Sequence, residues 1–143
     1  MAAYRERLWP PLSWALVALA GAALTAVSFS ATALYVGLPV LAFGALWLLS
    51  RDELRVEDGV LHVPGARAPL TAFGPAEVLD RQQLRERMGI RAQRDAWVRV
   101  KPWLHAGVLL PLTDPSDDTP YWLLGSRRPI ELAVAVALFP DTP

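Results

Sequence analysis

PPLSWALVALAGAALTAVSFSATALYVGLPVLAFGALWLLS, running from Pro10 to Ser50, contains no charged side chain, with Arg5 and Arg7 before it and Arg51 after it. As a single helix, this block of about forty residues would extend roughly 60 Å at about 1.5 Å per residue, twice the roughly 30 Å hydrocarbon core of a bilayer. Two spans joined by a tight turn fit better: apolar runs at about Leu12 to Val27 and Ala31 to Leu49, with Ser28, Phe29 and Ser30 as the turn. The expectation is a two-helix transmembrane hairpin over residues 11–50, preceded by a short cytoplasmic segment, residues 1–10.

Arg5 and Arg7 before the block and Arg51 and Arg55 after it, against an uncharged turn, place both termini in the cytoplasm of a multi-pass inner (plasma) membrane protein. Trp9, Trp14 and Trp47 then fall at the inner interface, where an indole ring keeps its N–H in water. Ala18, Ala22 and Ala26 form a small stripe that Ala33 and Gly37 match, and the reading is self-packing of the hairpin rather than a dimer seam. Pro39 reads as a tolerated kink. The block holds no ionisable residue, which argues against a channel or pump. A cleaved signal peptide fits less well, because a second apolar run follows at once.

Around this block the composition excludes more than it assigns. The 14 basic and 14 acidic residues balance to a net charge of zero, which lacks the field of a dedicated nucleic-acid binder. The chain has no cysteine, so disulfides, thiolate catalysis and Cys-ligated metals are ruled out. The basic residues are all arginine except Lys101.

From Glu53 the pattern switches to period two. Leu54 and Val56 alternate with Glu53, Arg55 and Glu57, Asp58-Gly59 supplies a two-residue turn, and Val60 to Val63 returns. This register puts Leu54, Val56, Leu61 and Val63 on a core face and leaves His62 with Arg55 and Glu57 on the other. Short strands follow at about Ala66 to Leu70 and Gly74 to Leu79, with Pro69 marking an edge or a bulge. Asp80 and Gln83 form a capping box for a short helix carrying Leu84 and Met88 on one stripe, stopped by Gly89. Strands at about Ala96 to Lys101, Gly107 to Leu112 and Pro120 to Leu124 precede a final helix, with Pro129 in its first turn and Ile130, Ala133, Val134, Ala137 and Leu138 as its apolar face. Seven strands and a C-terminal helix over residues 51–143 match the element order of a cytoplasmic, pleckstrin-homology-like barrel. An open antiparallel sheet with helices on one face fits the same pattern.

Candidate chemistry is sparse. Arg81, Arg85, Arg87, Arg91, Arg94, Arg99 and Lys101 face only Glu86 and Asp95 locally, so Arg81, Arg85, Arg87 and Arg91 are candidates for lying on anionic headgroups. A solvated helix face explains the same run. The acidic Asp58-Gly59 turn would repel the phosphates that lipid-binding pleckstrin-homology domains clamp at that loop. Asp114, Asp117 and Asp118 suit an ordinary turn better than a calcium loop, and His105 has no second ligand at metal spacing. No catalytic set, metal site or cofactor motif is read, and the chain is expected not to be an enzyme. Trp97 and Trp103 are the candidate partner contacts, Trp97 because alternation puts it with Arg99 and Lys101. Arg127 and Arg128, beside the entry of the last helix, could hold an anionic group, although a Ser cap and an early Pro explain that segment equally.

Three stretches, Tyr4-Arg5-Glu6-Arg7-Leu8-Trp9-Pro10-Pro11, Lys101-Pro102-Trp103, and Asp114-Pro115 through Thr119-Pro120-Tyr121-Trp122 to Ser126-Arg127-Arg128-Pro129, resemble a family of small, uncharacterised actinobacterial membrane proteins. The resemblance covers nearly the whole chain and implies a source and a topology, not an activity. The functional expectation is a membrane-anchored adaptor or scaffold that binds a protein partner or the inner leaflet of the lipid bilayer, with a homo-oligomer allowed and no nucleic acid. The rival is a small-molecule or lipid-binding protein that uses the barrel mouth beside the bilayer.

Overall fold

The computed structural model describes residues 2–28, 32–49 and 51–138. In chain order it holds β1 (Ala2–Arg7), α1 (Leu12–Ser28), α2 (Thr32–Leu49), β2 (Glu53–Glu57), β3 (Val60–Val63) and β4 (Ala66–Pro69), then a 3-10 turn at Leu70–Ala72. After these come β5 (Glu77–Leu79), α3 (Arg81–Met88), β6 (Trp97–Arg99), β7 (Gly107–Pro111), β8 (Tyr121–Gly125) and α4 (Pro129–Ala137). The chain divides into a helical unit, Arg7–Asp52, and a second unit made of Met1–Glu6 with Glu53–Pro143.

The helical unit corrects the first expectation. Among the described residues no helix is long and apolar enough to cross a membrane. α1 has 17 residues and α2 has 18, so each extends about 26–27 Å, short of the roughly 30 Å hydrocarbon core. The transmembrane hairpin is therefore withdrawn, and with it the multi-pass inner-membrane location and the cytoplasmic assignment of the termini. The charge-free run is long because two modest helices follow one another in sequence. Three of the four arginines read as topology signals have side-chain partners in the structure. Arg5 pairs with Glu53, Arg55 Nη1 lies 2.9 Å from Glu57 Oε2, and the Arg51 guanidinium sits 3.7 Å over the Trp47 ring. α1 packs on α2 with Ala22 buried, while Leu12, Leu16, Val17, Leu24, Leu41 and Phe43 are exposed. Phe29 and Ser30, expected in the turn, and the side chains of Ala26 and Ala33 lie outside the described residues.

In the second unit the Asp58-Gly59 hairpin forms in the expected register, with Arg55 opposite His62, Val56 opposite Leu61 and Glu57 opposite Val60. Asp58 and Gly59 have φ of 50° and 73°, the left-handed pair that a two-residue hairpin turn requires. Leu54, Val56, Leu61 and Val63 are buried, each such aliphatic side chain contributing about 1.5–3 kcal/mol.

The barrel does not form. The strands make two four-stranded sheets, ordered β1-β2-β3-β4 and β5-β7-β8-β6. Two features break the expected meander. The N-terminal segment supplies an additional strand, β1, to the edge of the first sheet. β6 passes over β7 and pairs parallel with β8, Val98 opposite Leu123, while β7 and β8 pair antiparallel. The second sheet buries Leu79, Leu109, Tyr121 and Leu123 against Leu84 of α3, and α4 lies on β5 and β7 with Leu132, Ala135 and Val136 buried.

Candidate functional site

Two groups of charged side chains emerge in the second unit. The first joins the two ends of the sequence. β1 alternates Tyr4 and Glu6, both buried, with exposed Arg5 and Arg7. The Glu6 carboxylate receives the Tyr4 hydroxyl at 2.5 Å, the Ser126 hydroxyl at 2.6 Å and the Arg127 backbone N–H at 2.9 Å. It thus lies at the N-terminal end of α4, where free N–H groups favour negative charge. Arg128 closes the arrangement: its backbone N–H reaches Ser126 Oγ at 3.0 Å, and its guanidinium bonds Glu131 and the Arg5 carbonyl, each at 3.0 Å. The same guanidinium sits 5.4 Å from the Tyr4 ring centroid. Burial, then donation to Glu6, pushes the Tyr4 hydroxyl's pKa upward, so it stays protonated. Ser126 is fully buried. The cluster fastens β1 to α4.

The second group lies on α3. The capping box forms as expected: the Gln83 N–H donates to Asp80 at 2.9 Å and the Asp80 N–H donates to the Gln83 side chain at 3.0 Å. This fixes the start of a helix whose exposed face carries Arg81 and Arg85 one turn apart. Across from them runs the connection from β6 to β7. Together Arg81, Arg85, Lys101 and His105 surround a cleft of about 160 Å³ whose apolar lining is Leu84, Met88, Val100, Pro102 and Leu104.

Two glycines make this close approach possible. Gly107 and Gly125 stand opposite each other in the β7–β8 ladder. A Cβ on Gly107 would drive into the Leu124 carbonyl oxygen and come within 3.2 Å of Leu84 Cδ1. One on Gly125 would meet Leu104 Cδ1 at 2.8 Å and the Val100 Cα at 3.2 Å. The missing side chains let the wall of the cleft press onto the end of the sheet.

Both groups fall inside one recognised segment, since a family model described as "Protein of unknown function (DUF3093)" matches residues 3–136. The chain belongs to this family. No curated protein and no solved structure matches it. The DUF3093 segment therefore takes in nearly all of β1, the cleft and nearly all of α4, and it attaches no activity to any of them.

Within the DUF3093 fold the sequence-level candidates disperse. Arg81 and Arg85 meet at the cleft, whereas Arg87 turns to Glu77 at 3.6 Å and lies 6.0 Å from the Tyr121 ring, and Arg91 is exposed beyond the helix end. Trp97 is half-buried with its ring centroid 4.6 Å from that of Trp122, which meets Phe73 edge-on at 5.1 Å. Arg99 covers Trp97 at 5.3 Å and reaches the Gly65 turn, where a Cβ would lie 3.1 Å from its Nη2. This ladder ties the two sheets together. Trp103 is buried, and Arg128 is engaged in fastening β1. Asp114 accepts from the Ser116 N–H at 2.9 Å and hydroxyl at 2.6 Å, which holds its carboxyl below the usual range, and Asp117 accepts from the Thr119 N–H at 2.9 Å. That is turn chemistry. Among the described residues no three His, Asp or Glu side chains converge to hold a metal.

Sequence reasoning missed Glu6, Ser126, Lys101 and His105 as site members. For the cleft, the available signal was Arg81 and Arg85 at a spacing of four, followed by a glycine at the start of one strand and another at the end of the next. For Glu6 it was the alternation of Tyr4 and Glu6 with Arg5 and Arg7, which reads as a strand once its charged member is allowed to be buried.

Proposed function

We propose that the chain is a non-enzymatic binding protein and that its ligand sits in the cleft between α3 and the β6–β7 connection. The observation that carries this reading is the convergence of Arg81, Arg85, Lys101 and His105 from two elements onto an apolar floor. A few polar groups aimed over apolar walls is the usual make-up of a ligand site. The hydroxyl and carboxylate best suited to chemistry, Ser126 and Glu6, are buried and bonded to each other, which supports binding over catalysis. A fragment library titrated against the labelled protein tests this: amide shifts should gather on Arg81–Met88 and Val100–His105. Shifts scattered over the surface, or confined elsewhere, would overturn the reading.

A protein-binding adaptor is the second reading, and a different face favours it. Ile130, Val134 and Leu138, four residues apart, are 68%, 50% and 72% exposed along the outer side of α4. Val134→Glu should abolish any stoichiometric partner complex while leaving the fold intact, and a complex that survives it would remove this reading.

A further inference from the structure

We infer that the helical unit pairs with a second copy of this chain through the face carrying Leu12, Leu16 and Leu19 of α1 and Val40, Phe43 and Trp47 of α2. This goes beyond the cleft reading and does not depend on it.

Spacing comes first. Leu12, Leu16 and Leu19 follow one another at four and three residues, and Val40, Phe43 and Trp47 at three and four. That is the spacing by which a helix buries one face. α1 and α2 do not bury these stripes in each other, since the six side chains are 53% to 84% exposed. The seam between the helices is made of small residues instead, with Ala22 buried and Ala15, Ala18 and Ala42 lining it.

A groove joins the two stripes. Leu19 from α1 and Pro39, Val40, Phe43, Gly44 and Trp47 from α2 enclose about 530 Å³. A Cβ on Gly44 would meet no described atom within 4 Å, so a ridge of side chains from a facing helix can settle close to the α2 backbone. The lining side chains carry one polar group, the Trp47 indole, whereas a small-molecule site needs several to fix orientation. The groove suits an apolar ridge.

Charge and area identify that ridge as belonging to a second copy. No side chain from Leu12 to Leu49 carries a charge. Two identical faces can therefore meet without like-charge repulsion, as a two-fold interface requires, because the same patch serves both copies. A different partner chosen by charge would find nothing to match. With about 150–250 Å² for an aromatic side chain and roughly 100 Å² for an aliphatic one, the exposed parts of the six supply roughly 500 Å² per copy. The pair then buries about 1,000 Å², the size at which specific interfaces begin. Two hairpins face to face make a four-helix bundle with both stripes in its core. Val17 and Leu41, 71% and 70% exposed, fall off the stripes and stay outside the interface.

Sedimentation equilibrium of the full chain in aqueous buffer, over a wide range of concentration, tests this. The mass should be twice the 15.7 kDa of one chain. Leu16→Gln/Phe43→Gln should weaken the dimer about a hundredfold or more, with its fold checked by circular dichroism. Val17→Gln/Leu41→Gln should leave the dissociation constant within about threefold. The chain has no cysteine, so Phe43→Cys gives a second reading that needs no disruptive change: it should cross-link to its counterpart through a short bismaleimide, and Leu41→Cys should not. A monomer at every concentration overturns the proposal, and so does a dimer indifferent to Leu16→Gln/Phe43→Gln or cross-linked through Leu41→Cys instead. Equal loss in both glutamine pairs would show apolar adhesion without a defined face, and open-ended association would show a contact that does not close; either overturns it. A chain that stays dispersed only with detergent, or that floats with phosphatidylcholine vesicles, has lipid rather than a second copy on this face and overturns it as well.

Discussion

Two places in the second unit set arginines beside a short helix, and the chain treats them in opposite ways. At the start of α4, Glu6 receives three hydrogen bonds and Arg128 is spent on Glu131 and the Arg5 carbonyl. Along α3, Arg81 and Arg85 stand over buried leucines, with no carboxylate among the described residues that line the cleft. A buried charge must be satisfied internally or it destabilises the fold, so the first group is held in place by folding itself. Exposed cations carry no such obligation, because solvent can match them, and under the proposed binding reading a ligand takes the place of that solvent. The difference between the groups separates fastening from binding more sharply than residue type does.

The largest effect is expected at the fastening. Glu6→Ala leaves the Ser126 hydroxyl and the Arg127 N–H without their carboxylate and should cost about 3 kcal/mol, with Glu6→Gln milder because it keeps one acceptor. Chemical denaturation reads both, and hydrogen exchange should show β1 released first. Gly107→Ala comes next, at about 1–3 kcal/mol, because the added methyl meets the Leu124 carbonyl oxygen and Leu84. The same change should weaken cleft binding by shifting Leu84.

Tyr4→Phe is smaller, about 1 kcal/mol at neutral pH. Its diagnostic lies in alkali. The folded Tyr4 hydroxyl titrates higher than the free side chain, so its contribution is whole below the unfolded value of about 10 and is lost as pH rises toward the folded one. Melting temperature against pH should therefore fall less steeply above pH of about 10 in the Phe variant. Smallest is Arg81→Ala/Arg85→Ala, expected within about 0.5 kcal/mol of wild type because both side chains are exposed. A large destabilisation by that pair would make the cleft a second fastening and erase the comparison.

Local signals in the sequence carried far. Asp58-Gly59 set the hairpin register, Asp80 with Gln83 set the start of α3, and Pro129 set the start of α4, because in each case the deciding chemistry lies within four residues. Pairings across long separations were not legible. β1 reaches its sheet and Ser126 from the far end of the chain, and a buried glutamate in it looks like surface until its three donors are known. The parallel pairing of β6 with β8 brings Val100 close to Gly125, an approach that exists only in three dimensions. The charge-free block from Pro10 to Ser50 misled through its total length, which says nothing of how that length divides between helices of 17 and 18 residues. For the site, the arginine run was visible, but which members converge was not. Only the placement of the β6–β7 connection selects Arg81 and Arg85 and leaves Arg87 to Glu77.

The most direct test follows backbone amide shifts while a fragment library is titrated into the intact protein at neutral pH. The account predicts saturable shifts along Arg81–Met88 and Val100–His105 and silence at Glu6 and Ser126–Arg128. Shifts centred on Ser126–Arg128 would show that the fastening is the binding site and would contradict it.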